Sequence, residues 1–263
     1  MRILFTGVAA VALLAACETT DNAPAKSAAA APAKTGVDYS GMLAAADRSE
    51  EDRARDAVRK PVETLKFFKI KPGDSVFEIE AGGGYFTEIY SIAVGPNGAV
   101  AMQNFQGFAD YAKDEIAARL DGDRLSNVRV TISLHDDLGA DDNSIDVATW
   151  VQGPHELYYK PTPDADFGDP VASFAEIYRI VKPGGVFGVI DHAAAAGAPN
   201  SVGNELHRID EAHVIELATG AGFVLEATSD FLANPDDDHT QLVFAEGMRG
   251  KSDQFALRFR KPK

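Results

Sequence analysis

Between positions 75 and 260, short apolar runs alternate with amphipathic ones, the pattern of a chain that lays down strand, helix and strand in turn. Ser75-Val76-Phe77-Glu78-Ile79 reads as a short buried strand after the turn Lys71-Pro72-Gly73-Asp74. Ala81-Gly82-Gly83-Gly84 reads as a turn, and 85–93 as a helix. The pattern predicts strands at 99–104, 127–133 and 145–151, with a helix over 108–120. A helix over 171–181, a Lys-Pro-Gly-Gly turn at 182–185 and a strand at 186–191 follow. A helix at 210–219 and strands near 223–231 and 254–260 close the chain, the last two as a hairpin with a long insertion. Upstream, Ser49 followed by Glu51 and Asp52 marks a helix start, and Ala54, Val58, Val62 and Leu65 give it one buried face. Pro61 kinks or divides that helix.

Alternating strands and helices joined by short turns imply a mostly parallel sheet covered on both faces, with right-handed crossovers. Ligands bind such sheets at the carboxyl ends of the strands. The expected site therefore lies where strands ending at Ile79, Asn104, Ser133, Val151 and Asp191 open into loops.

The first residues differ in kind. Arg2, an apolar run from Ile3 to Leu14 and small residues before a cysteine have the layout of a secretory signal, too short to span a bilayer as a permanent anchor. Leu14-Ala15-Ala16-Cys17 resembles the lipobox of bacterial lipoproteins, which implies cleavage after residue 16 and lipid attachment at Cys17, the only cysteine in the chain. Residues 17–37, rich in Ala, Pro, Thr and Lys, form a disordered tether, and 38–263 form one globular domain. The expected location is the periplasmic side of a bacterial membrane, held there by the lipid. With a formal charge of −15 over 263 residues and no basic patch near the candidate chemistry, nucleic acid is not an expected partner.

Three consecutive glycines between a strand and a helix let backbone approach a ligand closely and aim helix-start amides at it; a tight packing turn has the same composition. In context, the run Val76-Phe77-Glu78-Ile79-Glu80-Ala81-Gly82-Gly83-Gly84-Tyr85-Phe86-Thr87-Glu88 resembles the first motif of class I S-adenosylmethionine-dependent methyltransferases. Ser144-Ile145-Asp146-Val147-Ala148 is similar to that family's fourth-strand motif, and Ile180-Val181-Lys182-Pro183-Gly184-Gly185-Val186 to its turn into strand five. The resemblance covers about residues 45–263 and extends to a group of bacterial methyltransferases, many of them exported. It implies a Rossmann-like α/β sandwich: a mostly parallel seven-stranded sheet with an antiparallel terminal hairpin and helices on both faces.

The resemblance also implies S-adenosyl-L-methionine as cofactor, with Glu78, Glu80, Ala81, Gly82, Gly83 and Gly84 around its methionine part. Gln103 or Asn104 stands where the family usually has an acidic residue for the ribose hydroxyls, and Asp136 and Asp137 occupy the region that serves the adenine. Glu80 departs from the pattern, standing in place of the turn's usual first glycine.

Methyl transfer needs positioning, plus a base where the acceptor must lose a proton. His155, in the loop after the fourth strand, is the first candidate base, and Asp191-His192 the next pair. Tyr85, Tyr158 and Tyr159 are candidate acceptor-lining aromatics. His135-Asp136-Asp137, His155-Glu156, Asp191-His192 and Asp236-Asp237-Asp238-His239 carry metal-type ligands, but their spacings match no defined zinc pattern and no metal is assigned. The expected function is a methyltransferase acting on a small-molecule or envelope acceptor; the alternative is a lipoprotein of the same fold that binds a ligand without catalysis. In cells, Cys17→Ala should abolish both palmitate labelling and globomycin-sensitive processing; undiminished labelling would refute the lipoprotein reading.

Overall fold

The computed structural model describes residues 36–162 and 164–263. The signal at 1–16, Cys17 and all of the tether up to residue 35 lie outside the described residues. Strands β1 (Ser75–Ile79), β2 (Ala99–Asn104), β3 (Val128–Ile132), β4 (Ile145–Val151), β5 (Val181–His192), β6 (Val224–Ser229) and β7 (Gln254–Arg260) form one sheet in the order β3-β2-β1-β4-β5-β7-β6. β1 to β5 run parallel, and β7 lies antiparallel between β5 and β6, so the expected sandwich with its terminal hairpin is the observed one. Helices α1 (Tyr39–Ala45), α2 (Glu50–Arg59), α3 (Pro61–Phe67), α4 (Tyr85–Val94), α5 (Gln106–Tyr111), α6 (Lys113–Leu120), α7 (Pro170–Ile180), α8 (Val202–Leu206) and α9 (Glu211–Gly220) cover it. Among the described residues no helix is long and apolar enough to cross a membrane.

The period-two alternation of the strands sorts their side chains into two apolar layers. Phe77, Ile79, Ala148, Trp150, Phe187 and Val189 pack with α7 and α9 on one face. Val76, Val147, Val186 and Ile190 pack with Leu65, Phe68, Ile89 and Tyr90 on the other. Side-chain caps start the helices where the sequence offers them: Ser49 Oγ accepts from the Asp52 N–H at 3.1 Å, and Asp169 from the Ala172 N–H at 2.8 Å. Lys60, at φ 49°, breaks the 49–67 segment into α2 and α3, with Pro61 at the first position of the second helix.

Two elements depart from the sequence expectation. The helix expected over 108–120 is two helices that meet at Ala112, whose backbone (φ −91°, ψ 8°) leaves the helical region; Phe105, Phe108 and Tyr111 stack side by side along the first. The Lys-Pro-Gly-Gly segment is part of β5 rather than a turn before it. It is taken up as an irregularity in the pairing with β4, where Ile145 pairs with Val181 and Val147 with Val186.

The insertion between β6 and β7 is secured by one buried ion pair. Arg208 Nη1 donates to Asp237 Oδ2 at 2.8 Å and Nη2 to Oδ1 at 3.2 Å, and the same guanidinium reaches the carbonyls of Ala193 and Gln241. Both side chains are fully buried, so removing one leaves the other charge without a partner. Asp237→Ala should cost about 3–5 kcal/mol, measured by urea unfolding.

Candidate functional site

The segment joining β1 to α4 carries the site. Glu80, Gly82 and Gly84 all have positive φ (55°, 58° and 83°), and α4 begins without a side-chain cap. Glu80 is the costly member, since a side chain in the left-handed region is strained. Its side chain turns away from the solvent into the core, where the Trp150 indole N–H donates to Oε2 at 3.0 Å and His135 Nε2 lies 3.7 Å away. Burial, reinforced by the charge of Glu156, holds this carboxyl well above its ordinary range. Gly153 makes the room: a Cβ there would fall 1.9 Å from Trp150 Nε1 and 2.8 Å from Glu80 Oε2.

The two amides at the end of β2 are spent on this same turn. Gln103 Oε1 accepts from the Glu80 N–H at 2.8 Å, and its Nε2 donates to the Ser133 carbonyl. Asn104 closes a two-way contact with Gly82, accepting from its N–H at 2.8 Å and donating to its carbonyl at 3.1 Å. Both side chains are fully buried. The structure therefore gives them the shaping of the turn, and neither lines the two cavities that adjoin it.

Around the turn lies a cavity of about 200 Å³ whose walls include Glu78, Glu80, Ala81–Gly84, Tyr85, Phe108, Tyr111, Glu115, Arg55 and Arg59. Arg55, Arg59, Phe86, Glu115, Val151 and Gln152 also wall a neighbouring cavity of about 600 Å³, which has a mainly apolar far side including Ile190, Leu232, Val243 and Phe244. Arg59 donates to Gln152 Oε1 at 2.9 Å and lies over the Tyr85 and Phe86 rings. Burial lowers its pKa to about 10, which leaves it charged at neutral pH. Glu78 is pushed up to about 8 by burial, against the opposing hydrogen bond from Thr87 and the charges of Arg119 and Arg59, and is neutral at pH 7. Two guanidiniums thus face a buried acid that carries no charge; Asp52 already pairs with Arg55 at 3.3 Å, which leaves Arg59, hydrogen-bonded to the uncharged Gln152, as the cation on that wall suited to a carboxylate. Tyr85 is part of that wall, its hydroxyl committed to Asp56 at 2.7 Å.

The other candidates are distributed differently. Asp136 is half-buried and Asp137 exposed, and neither lines the two cavities. Tyr158 hydrogen-bonds His213 Nε2 at 2.5 Å and Tyr159 packs on His207 and Phe167, so both serve loop packing. His155 is buried off the cavity walls with Nδ1 held by Asp191 Oδ1 at 2.7 Å. Burial would lower its pKa, but Asp191 and Glu156 outweigh that and raise it to about 10. His192 does line the larger cavity, with Nδ1 on Ser252 Oγ at 2.7 Å, and burial lowers its pKa to about 3. Of the two imidazoles, His192 is the neutral one within reach of a ligand. Asp191 fixes the first imidazole and accepts also from the His155 and His192 backbone N–H groups, while Ser252 holds the second ring.

Arg55, Arg59, Glu115 and Gln152 escape the sequence reading. The arginines stand four apart on one face of α2, a spacing that marks a shared face but not what it faces. Glu115 gave no signal: its Oε2 lies 1.9 Å from where a Cβ on Gly83 would be, a proximity only the packing of α6 creates.

No protein-family model matches the chain, and no curated protein matches it. Solved structures do. A SAM-dependent methyltransferase from Aquifex aeolicus superimposes with a TM-score of 0.57 at 20% identity, over 86% of this chain and 100% of its own. A candidate sarcosine dimethylglycine methyltransferase from Galdieria sulphuraria gives 0.56 at 17% identity, over 85% and 97%. The [4+2]-cyclase SpnF gives 0.56 at 17%, over 78% and 81%. What they share with this chain is the fold, that of SAM-dependent methyltransferases, and since a cyclase is among them the activity has to be argued from the site.

Glu78 gives a pH test. Above about pH 4.5 the unfolded chain releases this proton while the folded protein keeps it up to about 8, so stability falls as pH rises across that window. Glu78→Gln, which stays neutral, should flatten that part of the profile and raise the melting temperature relative to wild type near pH 8; parallel profiles would refute the assignment.

Proposed function

We propose that the protein is an S-adenosylmethionine-dependent methyltransferase acting on a small-molecule or envelope acceptor. The observation that carries this reading is the cavity at the carboxyl end of β1, where a glycine turn and two arginines adjoin a larger cavity lined by both apolar and charged side chains. Residues here fit the cofactor's amino-acid end: Arg59 would take the carboxylate, and the backbone of Gly82–Gly84 with the uncapped start of α4 would lie against it. Glu115, on the walls of both cavities, would supply the acidic acceptor for ribose hydroxyls that Gln103 and Asn104 do not. When bound, the cofactor supplies a methyl group already activated on a sulfonium centre. The chain's own contribution is positioning. Phe86, Ile190 and Phe244 offer an apolar wall to the acceptor's body, and His192, its pKa lowered to about 3, stays neutral and orients the acceptor by hydrogen bonding rather than by taking its proton. The lipobox resemblance at Leu14–Cys17 supports export and attachment to the periplasmic face of a membrane through Cys17.

Thermal unfolding with S-adenosylmethionine, S-adenosylhomocysteine and adenosine tests the reading. Ligand at about 100 times its dissociation constant stabilises the folded state by about 2.7 kcal/mol, a rise of about 5–10 °C for a domain of this size. A rise with the first two and not with adenosine is expected, and Arg59→Gln should weaken it by about 10-fold or more in affinity. No rise at millimolar ligand would replace the enzyme with a binding protein of the same fold.

A further inference from the structure

A second constellation sits beside the glycine-turn cavity and plays no part in the reading above. His155 and Glu156 lie in the short turn Pro154–Tyr158 after β4, and His207 ends α8 with a left-handed backbone (φ 53°). Glu156 Oε1 is 3.3 Å from His155 Nε2 and 3.2 Å from His207 Nδ1, and one ligand atom from each residue falls within 4.8 Å of the others. A tetrahedral ion with bonds of about 2.0–2.1 Å has donor-to-donor edges of about 3.3 Å, the spacing seen on two sides here.

The geometry around His155 says more than the distances. Its ring is 2% exposed, and Nε2 has no hydrogen-bond partner although a carboxylate oxygen is 3.3 Å away. The two atoms lie about one tetrahedral edge apart, a spacing at which both can serve one ion. The other ring nitrogen is held by Asp191 at 2.7 Å, and Asp191 is itself anchored by the backbone N–H groups of His155 and His192. A carboxylate that fixes the far nitrogen of a histidine is the usual support behind a metal-ligating imidazole. Tyr159 and Phe244, with ring centroids 4.5 and 4.9 Å from that of His207, fix the second imidazole's orientation.

We propose that His155, Glu156 and His207 bind a divalent first-row transition ion, zinc or iron in class, with Asp191 orienting His155. Two imidazoles and one carboxylate suit such an ion and disfavour magnesium or calcium, which take oxygen donors. Three protein donors leave a position for water or for an oxygen, nitrogen or sulfur atom of a small molecule. No ligand spacing in the sequence announces the site, because His207 joins His155 and Glu156 from 51 residues away.

The test uses the whole protein, stripped with a chelator and titrated with cobalt(II) under anaerobic conditions and with zinc by calorimetry. One equivalent should bind, cobalt should show the visible bands of a low-coordinate nitrogen and oxygen site, and zinc should displace it. Glu156→Gln and His207→Gln should each abolish the bands, and Asp191→Asn should weaken zinc affinity about 10–100-fold. Circular dichroism of the metal-free variants establishes that they are folded, and His239→Gln, at a histidine outside the cluster, should bind as wild type does. Absence of stoichiometric binding, or bands that survive in a folded Glu156→Gln/His207→Gln double variant, would overturn the proposal. These readouts do not involve S-adenosylmethionine, so failure here and failure of the methyltransferase reading are separate results.

Discussion

Everything in this protein follows from a sheet that is covered on both faces. Apolar layers on each side leave only the carboxyl edge of the strands for polar groups, and that edge is itself largely buried. Polar groups in such a place must satisfy one another or bear a desolvation cost. The carboxyl edge is shaped accordingly: Gln103 and Asn104 of β2 hold the backbone of the glycine turn, Trp150 of β4 takes the carboxyl of Glu80, and Asp191 of β5 holds the imidazole of His155 and the backbone N–H of His192. Each strand end supports the loop of another.

The same burial decides where charge survives. Glu78 loses its own because it has too little compensating charge, and Glu80 is pushed the same way, whereas the guanidinium of Arg59 keeps its proton even with its pKa lowered to about 10. A chain with a formal charge of −15 thereby sets two guanidiniums, with Glu115 beside them, on the wall at its glycine turn. Net charge excludes a class of partners, but the sign of a cavity is set by which side chains can remain ionised there. The fully buried Arg208–Asp237 pair follows the same rule, with each charge held by the other and by backbone groups.

Seen from the residues, the strands were the most legible elements, since period-two burial and flanking Gly and Pro are local signals. β1, β2, β4 and β7 fall where the pattern placed them. The continuation of β5 through Lys182–Gly185 was not legible because it depends on pairing with β4, outside the segment, and the break at Ala112 was not, because no Gly or Pro marks it. Of the site, the glycine turn and His192 could be read from the sequence, but the roles of Gln103 and Asn104 could not. An amide at a strand end has the same composition whether it faces a ribose or a backbone.

The sequence by itself determined the order of strands and helices, the terminal hairpin and the edge of the sheet at which a ligand must bind, because these follow from periodicity and chain direction. Only the tertiary structure decided which side chains meet at that edge. Arg59 meets Tyr85, Glu115 meets Gly83, and His207 meets Glu156 through packing between elements distant in the chain, and no local pattern encodes a separation of 51 residues. It also decided which acids are neutral, since protonation follows burial, and burial is a property of the folded chain.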